Sequence, residues 1–152
     1  MKVTKIMTDL LKLVEKKKTT ACIYGMDENY IYFAPDGYRI FKICKPLFLI
    51  DLKKALPDKR PLVNPGHFFK ADNLEDGKKT GEMRVVGDRK ETVTKIKSEH
   101  SHAWVNEKYL KEFDTDCSFK IGTPKQPVLI YEHDEVVGVV CPVNVKEDLD
   151  ND

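Results

Sequence analysis

The chain has 152 residues and a net charge of +1, with 26 Lys and Arg against 25 Asp and Glu. That length buries a core without metal or disulfide staples. The balanced charge excludes a global pull on phosphate, so any nucleic-acid contact must come from a local patch. No apolar run approaches a membrane span and no secretory leader pattern opens at Met1, so a cytoplasmic protein with no membrane partner is expected.

In chain order, Lys2 to Ile6 reads as a strand. Thr8 to Lys17 reads as a helix capped by Thr8 and Asp9, with Leu10, Leu11, Leu13 and Val14 as its buried stripe. Lys12 and Lys16 share another face, where like charges cost a few tenths of a kcal/mol, roughly, so the pair either reaches solvent or meets an anion. Ala21 to Tyr24, Tyr30 to Phe33 and Tyr38 to Ile43 are apolar segments separated by Asp27-Glu-Asn29 and Pro35-Asp-Gly37, which is the chemistry of a three-stranded meander.

The middle is less legible. Leu47 to Leu56 fits a helix or the opening of a strand, and Pro57 to Gly81, rich in Pro and Gly between charges, reads as a loop. Met83 to Val86 and Thr92 to Ile96 make a hairpin around Gly87-Asp88. Glu99-His-Ser-His102 places two imidazoles at strand spacing, a metal site only if a third ligand came from elsewhere, so no metal or other cofactor is expected. Cys22, Cys44, Cys117 and Cys141 contain no C-x-x-C pair and read as core or half-buried thiols.

From Ala103 the opening order returns. A short strand leads into Asn106, a good N-cap, and a helix to Phe113 whose apolar stripe is Tyr109, Leu110 and Phe113. Strands at Cys117 to Ile121, Pro127 to Tyr131 and Val136 to Val143 follow. Lys108 and Lys111 either pair with Glu112 and Glu107 or face an anion. Pro142 cannot donate to a ladder and pushes the end of the last strand to an edge or an interface. The expected fold is therefore α+β, a duplicated βαβββ unit with two helices on an antiparallel sheet. It forms one domain over residues 1–146, with half-units at about 1–43 and 100–145, an insert at about 44–99 and an acidic tail at 147–152.

Val105-Asn-Glu-Lys-Tyr-Leu110, Pro127-Val-Leu-Ile130 and Val139-Val-Cys-Pro-Val143, in that order, resemble the last domain of the bacterial sliding clamp, the beta subunit of DNA polymerase III. The opening Met1-Lys-Val-Thr-Lys-Ile6 and Asp9-Leu-Leu-Lys12 are similar to the start of a clamp chain, and Pro35-Asp-Gly-Tyr-Arg-Ile40 resembles a turn of its middle domain. Residues 1–43 and 100–145 carry the likeness. A clamp chain has three such domains whereas this chain has one, so encirclement would require identical chains joined as a homo-oligomer.

The resemblance implies a non-enzymatic, clamp-like DNA-tethering or partner-binding module of replication, repair or a mobile element. The alternative is a protein-interaction module of the same fold that binds no DNA. By position, Lys12, Lys16, Lys108 and Lys111 would touch duplex phosphate without reading sequence. The clamp's peptide pocket would map to Gly37, Tyr38, Arg39 and Ile40 on one side and to Val139, Cys141, Pro142 and Val143 on the other. In clamps those halves belong to neighbouring domains, so one chain can either separate them or join them in one contiguous apolar surface, and Cys141 and Val143 replace two adaptable methionines. Replication or repair proteins are the partners implied, and Gln126-Pro-Val-Leu-Ile130 is faintly similar to the peptides that clamps capture. No glycine-rich phosphate loop, nucleophile–base pair or paired-carboxylate motif points to an enzyme.

Overall fold

The computed structural model describes residues 1–15, 22–48 and 69–146. The first helix, α1 (Val3–Glu15), begins where a strand was expected. Ile6 N–H donates to the Lys2 carbonyl at 3.1 Å, which closes the first turn. The reason is period: Val3, Ile6, Met7 and Leu10 recur at helical spacing, and burying Ile6, Met7 and Leu10 outweighs the alternation that the shorter stretch suggests. Thr8 is therefore an interior helix residue whose hydroxyl donates to the Thr4 carbonyl at 2.8 Å instead of capping. Leu11, expected in the buried stripe, is 43% exposed. The side chains of Leu13 and Val14 lie outside the described part, as does Lys16.

The first meander follows as β1 (Cys22–Met26), β2 (Tyr30–Asp36) and β3 (Arg39–Cys44). Its turns are those the sequence announces. Asp27 Oδ1 accepts from the N–H groups of Asn29 and Tyr30 at 2.9 and 2.7 Å, and Asp36 Oδ1 accepts from Tyr38 N–H at 2.9 Å. Of the ambiguous Leu47–Leu56 stretch, the first residue closes a single 3₁₀ turn at Lys45–Leu47; residues 49–56 lie outside the described residues.

The expected hairpin is present as β4 (Glu75–Val86) and β5 (Glu91–Lys97). The loop reading of residues up to Gly81 fails from Glu75 onward, because Glu75, Asp76 and Gly77 pair with Ile121, Lys120 and Phe119 of a distant strand. Gly77 suits that place, since a Cβ there would meet Ile96 at 2.9 Å. A shift of register between Lys79 and Met83, with Gly81 at φ 82, bends β4 away toward β5.

The second unit comprises β6 (His102–Asn106), α2 (Glu107–Leu110), β7 (Ser118–Ile121), β8 (Val128–Glu132) and β9 (Glu135–Val140). Asn106 caps α2 as expected, accepting from Lys108 N–H at 3.1 Å. Tyr109, Leu110 and Phe113 are buried.

Among the described residues all pairings are antiparallel, and the fold is α+β with one nine-stranded sheet in the order β1-β2-β3-β9-β8-β7-β4-β5-β6. After β9 the chain crosses to β6, where Val143 N–H donates to the Trp104 carbonyl at 2.7 Å. The strand expected at an edge is therefore an interior one, flanked by β3 and β8. Pro142 marks the residue at which it changes partner. Helix followed by meander occurs twice, and the two meanders meet through their last strands. The first unit has no opening strand, so the expected βαβββ order holds only in the second.

One face of the sheet carries both helices: Ile6, Met7, Leu10, Tyr109, Leu110 and Phe113 join Phe33, Phe41, Ile43, Ile96, Val105, Ile121, Ile130 and Val140 in one cluster. The other face is a smaller cluster around Ala34, Ile40, Leu129 and Val139.

Candidate functional site

The pairing of β3 with β9 decides the site. It sets Arg39 opposite Val140, Ile40 opposite Val139 and Phe41 opposite Gly138, and Cys141 N–H donates to the Tyr38 carbonyl at 2.7 Å. The two segments that the resemblance mapped to neighbouring domains of a clamp are therefore side by side. A small cleft of about 90 Å³ lies between Gly37–Ile40 and Val139, Cys141 and Pro127. A larger one of about 490 Å³ continues past Tyr38 to Arg89, Lys108, Tyr109, Pro142 and Val143. Tyr38, 60% exposed, stands between them.

The individual residues differ from expectation. Ile40 and Val139 are buried, at 8% and 4% exposure, in a cluster against which Phe69, Ala71 and Leu74 of the insert also pack, so the apolar surface is not open along its whole length. Arg39 is engaged within the fold. Its guanidinium pairs with Glu112 and, at 3.3 Å, with Asp36, and lies 4.6 Å over the Tyr109 ring. Burial raises the Glu112 carboxyl against the opposing pull of Arg39, and burial pushes Tyr109 up to about 12. Cys44 and Cys141 are exposed, contrary to a core role, because each ends or follows a strand on its solvent side; Cys117 is half-buried.

Of the lysines, Lys12, Lys108 and Lys111 are exposed. Lys108 pairs with Glu91 at 3.5 Å and lies 5.1 Å from the Tyr109 ring centre. The expected helix pairs do not form: Glu112 is taken by Arg39, and Glu107 accepts from the Thr94 hydroxyl. Sequence reading missed Lys2 and Lys5, both exposed, because it placed them in a strand. Lys2 N–H donates to the Glu112 carbonyl at 2.8 Å, so the start of α1 abuts the end of α2. The helical recurrence from Val3 was the signal available.

Near the start of β4, Glu75 reaches the cluster noted in the sequence. Its Oε2 is 2.8 Å from His100 Nδ1, while Glu99 Oε1 is 4.0 Å from Nε2. The ligand-type atoms of Glu75, Glu99 and His100 lie within 4.8 Å of one another, and this is the group among the described residues able to hold a cation. His102 is not in it. Both ring nitrogens already face carboxylates, and His100 holds the Glu75 carboxyl below its ordinary value.

Among the described residues no helix is long and apolar enough to cross a membrane. Compared with known proteins, the chain matches no family model, no curated protein and no solved structure.

Proposed function

We propose that this chain is a non-enzymatic, sliding-clamp-like domain of the cytoplasm that tethers to duplex DNA through its helices and receives replication or repair partners at the β3–β9 seam. The observation that carries the reading is that seam: Gly37–Ile40 and Val139–Val143, resembling two halves of one clamp pocket, are hydrogen-bonded neighbours in a single chain. Further support comes from the repeated helix–meander order, which would be the remnant of a duplicated half-domain, and from the packing of both helices on one face. Assembly of several copies would use the outer edge of β1 and the part of β4 beyond Gly77, which β7 leaves unpaired, and not β9.

DNA contact would be sequence-independent and weak. Changing Lys5, Lys12, Lys108 and Lys111 together to Glu is expected to abolish retention on duplex DNA at low salt and to flatten the log–log salt dependence by roughly three to four units, since each phosphate contact contributes about 0.9. Electrophoretic or anisotropy titration from about 50 to about 200 mM salt measures it. A parent protein that ignores DNA at the lowest salt removes the tether.

The second reading, a partner-binding module that ignores DNA, is favoured by the engagement of Lys108 with Glu91 and by the net charge of +1. The same titration separates the two.

A further inference from the structure

The outer face of the sheet is closed by a segment unlike the rest of the molecule. Phe69, Ala71 and Leu74 pack against the cluster of Ala34, Ile40, Leu129 and Val139 from a stretch that is neither helix nor strand. Phe69 meets the Tyr32 ring edge-on, with centroids 5.3 Å apart. Leu74 lies so close to Gly122 that a Cβ there would come within 2.9 Å of its Cδ2. The backbone is secured by a turn and not by a ladder: Leu74 N–H donates to the Ala71 carbonyl at 3.2 Å, Asn73 sits at φ 64, and strand pairing starts only at Glu75.

Among the described residues the segment is held by three side chains and one turn, far less than a helix or a paired strand, so it is expected to open at a small fraction of the global unfolding free energy. The face beneath it does not end at its margin. Ile40 and Val139 also border the small cleft with Gly37, Tyr38 and Cys141, so a ligand entering that cleft meets side chains the segment already occupies.

We propose that Phe69–Leu74 is a displaceable strap, seated on the partner-docking face as an internal stand-in for the partner. The proposal rests on the docking reading above. The strap also defines the chemistry of what replaces it: a peptide offering an aromatic side chain and, five residues on beyond a turn, a leucine. Affinity for such a peptide is scaled by the fraction of time the face is free. A face open one time in ten weakens every partner about tenfold, and removing the strap's side chains restores that factor.

A labelled peptide with the sequence of residues 67–75 is the probe. Titrated by fluorescence anisotropy, it is expected to bind the Phe69→Ser/Leu74→Ser chain at least about tenfold more tightly than the parent. Adding Ile40→Asp should remove the gain. Equal affinity for parent and double variant overturns the strap and leaves the docking face. No binding to either at about 1 mM overturns both. Hydrogen exchange on the unaltered chain tests the same idea without a substitution: the Leu74 amide is expected to exchange at least about a hundredfold faster than those of Phe41 and Val140, and equal protection would show that the segment is fixed core.

Discussion

The two faces of the central sheet are covered by opposite means. On the inner face, α1 and α2 deliver large side chains from regular elements, and Phe113, in the turn that follows α2, presses on Gly138 so closely that a Cβ there would lie 2.6 Å from its ring. On the outer face a turn delivers Phe69, Ala71 and Leu74. Stability is thereby concentrated on one side of the sheet, and the other side is left free to exchange its cover. The face that holds a fold together need not be the face that works.

The comparison breaks most visibly on the inner face. Phe113→Ala is expected to cost about 3–5 kcal/mol in urea denaturation, because the ring is fully buried against Phe41 and the strands around it cannot collapse into the void. Next comes the strut between meander and helix. Arg39→Leu leaves the Glu112 carboxylate without its cation and should cost about 2 kcal/mol near neutrality. Burial already raises Glu112, and losing Arg39 raises it further, so that loss should shrink as pH falls and the carboxyl takes up its proton. Adding Glu112→Leu should recover most of it. On the outer face, Leu74→Ala should cost only about 1 kcal/mol, since Leu74 is half-exposed and the turn can relax; a loss as large as that of Phe113→Ala would erase the contrast between the faces.

The smallest effect belongs to the turn before β2. The backbone N–H groups of Asn29 and Tyr30 hold the Asp27 carboxyl below its ordinary value. A depressed folded value contributes stability that is present above the unfolded value, about pH 4, and is lost as pH falls through the folded one. Asp27→Asn should therefore lower Tm slightly at pH 6, and the gap should close on the acid side of about pH 4.

Much of this was legible residue by residue. Asp27, Asp36 and Asn106 announce turns and a cap because their side chains bond their own backbone, which needs no tertiary partner. The stripe Tyr109, Leu110 and Phe113 was legible for the same local reason. Whatever depends on a distant strand was not. Glu75–Gly77 looks like loop until β7 pairs with it, and β9 looks like an edge until β3 arrives. Lys2 to Ile6 satisfies two periods at once, and only packing chooses between them. At the candidate site, sequence named both segments but left open whether one chain joins them; neither their union nor the cover from Phe69 to Leu74 has a local signature.

The seam carries a kinetic consequence. Arg39 and Val140 are paired across about a hundred residues of sequence, so β3 lacks this partner until β9 has been made. Contacts of such long range slow folding, and an unpaired strand waiting on a ribosome invites association with other nascent chains. Folding of the sheet is therefore expected to wait for β9 and to be slow for its size. Yield on refolding should fall steeply with protein concentration, because two chains meeting before β9 docks can pair β3 with β3 instead.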